Sequence, residues 1–291
     1  MSESGEASTG PARGGMQAAL RWSLPFSRQA WRGNAGNWMG TGTGSSIDFQ
    51  DHRHYVPGDD PRHIHWQAYA RSGTLTMKLY REEVSPYVDV AVDVSASMDI
   101  EPAKRARTDD LVAFCVTSAE RAGASCRVTA GCGRRMFAVA NEDVRRGNWR
   151  DRIQPEAGQG QPPGPFAWRP RAMRVLVSDL LYPTEPAAYL PTLCGGSGTT
   201  LILAPSLESE ETLDHRGNVE LVDCERQALR RQRIDDGLAR RYATAYARHF
   251  SLWREACRRR GVLFARVPCN GELVHALSGE ACASGTVEAV A

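Results

Sequence analysis

Residues 87–98 read YVDVAVDVSASM. The valine-rich start of this stretch has the length and character of a buried strand. It ends in Asp93, Ser95 and Ser97. In open α/β sheets, ligands gather where strands finish at their carboxyl edge. A carboxylate and two hydroxyls at alternate positions there point into one loop cavity. All three are hard oxygen donors and suit Mg²⁺ or Mn²⁺ rather than a soft metal. The competing reading is a helix cap, because Asp and Ser are preferred N-caps and a strand–turn–helix needs one.

Outward from this strand the chain alternates. Residues 103–123 carry apolar positions suited to a helix packed on a sheet, and 126–140 read as two strands around a glycine turn. A short helix is predicted over 141–153. Residues 154–166, QPEAGQGQPPGPF, are too rich in proline and glycine for regular structure. MRVLVSDLL (173–181) is a second buried strand, and it ends in Asp179 as the first ends in Asp93. A short helix over 184–193 and a core strand over 199–206 follow. Residues 218–234 read as a β-hairpin.

The next helix is the best marked. Asp235 and Asp236 open it, Leu238, Tyr242, Tyr246, Phe250, Trp253 and Cys257 recur at three and four, arginines close it and Gly261 ends it. A strand at 262–268 and a helix at 271–282 complete the pattern. Strands alternating with helices over about 88–282 indicate an α/β fold with a largely parallel sheet.

Bulk composition bounds the function. The chain has 291 residues and a net charge of +2, so no strong field points to nucleic acid or membrane. No apolar run reaches the roughly 20 residues needed to cross a bilayer, and the polar, glycine-rich start lacks a signal-peptide core. The eight cysteines include no CxxC pair and fall largely within apolar runs, the usage of a reducing cytoplasm. Basic clusters such as RQALRRQR lack an aromatic platform and read as solvated faces.

Residues 87–98 resemble the first strand and metal loop of a von Willebrand factor type A domain. That resemblance implies a Rossmann-like sheet and a metal-ion-dependent adhesion site built on DxSxS, a threonine from a second loop and an aspartate from a third. Asp93, Ser95, Ser97 and Asp179 match. The threonine has no counterpart, since Thr129, the only threonine between residues 120 and 172, lies inside a predicted strand.

Upstream, DFQDHRHYVPGDDPRHIHW (48–66) holds four of the seven histidines: His52, His54, His63 and His65. A four-histidine zinc site is geometrically open here, and so is a surface ion network of acids and arginines. The block through residue 84 resembles the signature of the bacterial domain-of-unknown-function 58 family, R-x-Y-x-P-G-D-D-x-x-x-I-x-W followed by A-R. The matching positions are Arg53, Tyr55, Pro57, Gly58, Asp59, Asp60, Ile64, Trp66, Ala70 and Arg71. Pro57-Gly58 is a turn dipeptide that Asp59 and Asp60 can brace, with Arg62 or Arg71 as partner. The closing helix and strand agree with the same family.

Three segments are therefore expected: 1–39 disordered or loosely docked, 40–86 a small β-rich module carrying the PGDD motif, and 87–291 the type A-like domain. The resemblance implies a non-enzymatic adaptor or co-chaperone that binds a MoxR-type AAA+ ATPase and its client protein. It would act in the cytoplasm, through Mg²⁺ or Mn²⁺. Two alternatives stand beside it: a metal-dependent hydrolase using the His/Asp cluster at 51–65, and a metal-free scaffold using the same sheet edge.

Overall fold

The computed structural model describes residues 12–28, 38–84, 86–153, 160–195 and 198–290, and of residues 38–52 and 79–84 the backbone alone. The polar start to residue 11, residues 29–37 and residues 154–159 of the proline-rich segment lie outside these residues. So do Gly196 and Ser197.

In chain order, helix α1 (Arg13–Ala18) and strand β1 (Trp22–Ser23) precede β2 (Trp38–His54), α2 (Trp66–Ser72) and β3 (Thr76–Val84). Next come β4 (Tyr87–Asp93), α3 (Pro102–Arg121), β5 (Ser125–Cys132), β6 (Arg135–Val139), α4 (Asn141–Arg146) and β7 (Met173–Val177). After α5 (Pro186–Leu193) and β8 (Thr200–Ser206), β9 (Gly217–Val222) and β10 (Leu229–Ile234) form a hairpin. The chain closes with α6 (Asp236–Arg259), β11 (Leu263–Pro268), α7 (Leu273–Ala276), α8 (Cys282–Ser284) and β12 (Glu288–Ala289).

Six strands form one sheet in the order β11-β8-β7-β4-β5-β6. Every neighbouring pair is parallel except β5–β6. This is the expected α/β architecture. Val88, Val90 and Val92 face a core shared with Leu111, Phe114 and Val116 of α3, whereas Ala91 faces a second core. Val175 and Val177 join the first core and Leu176 the second. Because successive strand residues point to opposite faces, the two cores lie on opposite sides of the sheet. That is why the central strands lack apolar–polar alternation.

Helix α6 covers the second face with Tyr246, Phe250, Trp253 and Cys257. Its start is fixed by Asp235, whose carboxylate accepts the Leu238 N–H at 2.7 Å, a cap worth about 1 kcal/mol. The predicted final helix is broken instead. Gly279 takes φ −83° and ψ −120° inside the turn that follows α7, a departure that glycine makes cheaply.

The amino-terminal segment packs on α3. Gly15 donates its N–H to Asp110 Oδ1 at 3.1 Å and Leu24 donates to Ser118 Oγ at 2.8 Å. Ala18, Leu24 and Phe26 are buried in the α3 core, and β1 pairs with β12. β2 and β3 form a separate antiparallel pair with bulges. Among the described residues, no helix is long and apolar enough to cross a membrane.

Candidate functional site

β4 and β7 are parallel neighbours with Val92 opposite Val177. Asp93 therefore meets Ser178, and Asp179 follows one residue on. The two carboxylates reach the same lip of the sheet because Asp93 is the last residue of β4 and Asp179 lies two residues past the end of β7.

Asp93 is completely buried. Its Oδ1 accepts the Ser95 N–H at 2.9 Å and its Oδ2 accepts the Ser178 hydroxyl at 2.8 Å. Ser178 also contacts the Tyr182 hydroxyl and accepts the Leu180 N–H at 3.1 Å. Asp179 Oδ1 accepts the Leu181 N–H at 3.0 Å, and its own N–H meets Met98 Sδ at 3.3 Å. The loop carrying Ser95 and Ser97 thus lies directly against Asp179. Ser95 Oγ and Ser97 Oγ are 3.2 Å apart. The structure brings all four expected residues to one place.

It also brings residues that spacing alone did not single out. The Lys104 ammonium, on the first turn of α3, donates to Asp179 Oδ2 at 2.6 Å and to Glu210 Oε1 at 2.5 Å. Burial alone would lower the lysine pKa, but the two carboxylates overcome this and hold it above its ordinary value. Glu225, at the turn of the β9–β10 hairpin, accepts the Ser97 N–H at 2.9 Å through Oε1. Its Oε2 is sealed from water with no hydrogen-bond partner. Lys104 carried a signal: it is one of two lysines, with Lys78, among 36 basic residues. Its ammonium is a compact point charge with three donors, enough to meet both carboxylates.

Charge is unevenly settled at this lip. Asp179 has its ammonium. Among the described residues, no basic side chain pairs with Asp93. Burial, then the neighbouring Asp179 charge, push the Asp93 carboxyl up to about 7, with the Ser95 and Ser178 hydrogen bonds pulling the other way. A buried carboxylate without a counter-charge beside two hydroxyls is a set of hard oxygen donors. Each carboxylate oxygen keeps a further lone pair, so Asp93, Ser95 and Ser97, with Asp179 behind them, fit Mg²⁺ or Mn²⁺ chemically.

The PGDD block forms a braced turn. Arg53 donates to both Asp59 oxygens, at 2.7 and 2.6 Å, and Asp59 also accepts the Val56 N–H at 2.9 Å. Gly58 sits at φ +108°, a conformation other residues avoid. Asp60 caps the turn at Pro61–His63 through the Arg62 N–H and pairs with the Arg62 side chain at 3.2 Å. Trp66 and Tyr69 are exposed and meet edge to face at 6.2 Å. Tyr55 is half-buried and Arg71 exposed. Among the described residues, no group of three or more His, Cys, Asp and Glu side chains is placed to hold a metal; the His52 side chain lies outside them. Asp59 and Asp60 are engaged by the Arg53 and Arg62 guanidinium groups.

The family model described as "Protein of unknown function DUF58" matches residues 51–132, a span that includes the PGDD turn, β4 and the Ser95–Ser97 loop. It supports the family read from the sequence. No curated protein matches the chain. A similar solved structure is that of the conserved hypothetical protein BatB from Bacteroides thetaiotaomicron. It is 12% identical over 69% of this chain and 98% of that one, with a TM-score of 0.36, too loose a likeness to bear on function.

Proposed function

We propose that the chain is a non-enzymatic interaction module with a von Willebrand factor type A-like domain, an adaptor between a MoxR-type AAA+ ATPase and its client in the cytoplasm. Its docking point is the carboxyl lip of the six-stranded sheet. One observation carries this reading: Asp93 is a buried carboxylate with no basic partner among the described residues, flanked by the Ser95 and Ser97 hydroxyls and adjacent to Asp179. A divalent ion there would be held by Asp93, Ser95 and Ser97, with Asp179 contributing directly or through water. It would supply positive charge for a partner's carboxylate. The chain's own residues preorganise the loop. The Asp93–Ser95 bond fixes the turn, and Ser178 orients Asp93.

A second reading is favoured by Lys104, whose ammonium already neutralises Asp179. In that version the lip binds partners without metal, and the absent threonine needs no substitute.

Calorimetric titration of Mg²⁺ into the purified chain and into Asp93→Ala, followed by capture of the purified MoxR-type ATPase with Mg²⁺ or with EDTA, separates the readings. Saturable Mg²⁺ binding lost in Asp93→Ala, with EDTA-sensitive capture, supports the metal form. Capture that survives EDTA supports the metal-free form. No capture of the ATPase under either condition defeats the adaptor reading.

A further inference from the structure

The lip as described is closed. Asp93, Ser95 and Asp179 are buried, so a group from another molecule reaches them only if part of this chain moves. Among the described residues, the β9–β10 hairpin is a two-stranded sheet of its own, paired with no other strand. Its strands carry exposed Leu221, Val222 and Leu229, and an isolated two-stranded hairpin is marginally stable in water.

The tip of that hairpin, by contrast, is shaped. Asp223 Oδ1 accepts the N–H groups of Glu225 at 2.9 Å and Arg226 at 3.1 Å. Gln227 turns the chain at φ +54° and donates its N–H to the Asp223 carbonyl at 2.8 Å. This local lock presents Glu225 to the loop between β4 and α3. One carboxylate oxygen takes the Ser97 N–H, and the other is held dry without a donor. Leaving a charged acceptor desolvated and unsatisfied is unfavourable. A contact optimised only for stability would have given Oε2 a partner or left it in water.

We infer that the hairpin is an intramolecular stopper. Glu225 occupies the carboxylate position of the lip, and an acidic side chain on a partner's loop engages by displacing it. The inference rests on the lip being a docking point for a partner's carboxylate and adds the closed resting state. The Ser97 N–H is the shared donor. Whichever carboxylate holds it, the other is excluded. A tethered group competes at an effective concentration of about millimolar, so a weak free carboxylate is shut out while a multivalent partner is not.

The probe is a capped glutamate (acetyl-glutamate amide), with acetyl-glutamine amide as the neutral control, titrated with and without Mg²⁺ against the full chain. The Ser97 amide resonance reports binding. Wild type, Glu225→Ala and Asp223→Ala are compared. The second variant loosens the tip without removing the carboxylate. The expected result is saturable binding of the glutamate probe by Glu225→Ala at least ten-fold tighter than by wild type, a smaller gain in Asp223→Ala, and none for the glutamine probe. Equal binding by wild type and Glu225→Ala overturns the stopper and leaves the lip as a carboxylate site. Absence of binding by every variant overturns both.

Discussion

The ammonium of Lys104 lies 2.6 Å from Oδ2 of Asp179, and both side chains are sealed from water. A lysine so enclosed is tolerated only because Asp179 and Glu210 meet it together. Removing one member of a buried pair leaves the other charge uncompensated, which is unfavourable by about 3–5 kcal/mol. Lys104→Met should therefore lower the unfolding free energy by that order, and Lys104→Met/Asp179→Asn should recover much of the loss. Urea denaturation of the four proteins of the cycle measures this. Additive losses would mean that the two side chains are not coupled.

The fold was largely legible in the sequence, for reasons that can be named. β4, β7 and β8 are buried on both faces, so each appears as a short run rich in Val, Leu and Ile without alternation, interrupted by buried Asp89 in β4 and Arg174 in β7. α6 is covered on one face only, so its spacing of three and four was plain, and Asp235 marked its start. The candidate site was half legible. Asp93 and Asp179 sit at strand ends, which spacing reveals. Ser178, Glu210 and Glu225 come from elements whose approach depends on tertiary packing, and no local pattern marks them. The break at Gly279 was missed because the apolar spacing continues through it, while backbone conformation does not.

Stability should depend on pH through Asp93. In the metal-free protein its carboxyl is pushed up to about 7, whereas an unfolded aspartate titrates at about 3.9. Between these values the folded state holds the extra proton, so stability falls as pH rises through this window and levels off above it. Asp93→Asn removes that contribution. It should match wild type near pH 4 and exceed it at pH 8, by on the order of 1–3 kcal/mol. The measurement is the difference between the two proteins' urea unfolding free energies across that range. A difference that does not change with pH would remove Asp93 as the titrating group.

The Arg53–Asp59 pair should matter for the local turn rather than for global stability. The two bonds at 2.7 and 2.6 Å are exposed, but Asp59 also holds the Val56 N–H. Asp59→Ala should speed hydrogen exchange at the Val56 amide by ten-fold or more and leave exchange in β4 and β7 unchanged. Arg53→Lys should give a smaller effect in the same direction, since an ammonium cannot make the paired contact. Unchanged exchange at Val56 in Asp59→Ala would show that Pro57-Gly58 holds the turn unaided.

Gly15 tests how the amino-terminal segment is fastened. A Cβ on this residue would stand 2.1 Å from the Asp110 carbonyl oxygen and 2.7 Å from the Phe114 nitrogen. Both are backbone atoms of α3, in the middle of a long helix, so α1 must yield rather than α3. Overpacking of this kind is unfavourable by about 1–3 kcal/mol, comparable to what a short docked segment gains from burying Ala18, Leu24 and Phe26 once its ordering entropy is counted. Gly15→Ala should thus release residues 12–28 while the sheet stays folded. Limited trypsin digestion should cut at exposed Arg21 at least several-fold faster than in wild type. Gln17→Ala, on the exposed side of α1, should cut at the wild-type rate. Equal rates for Gly15→Ala and wild type would mean that α1 does not rest on α3 through Gly15.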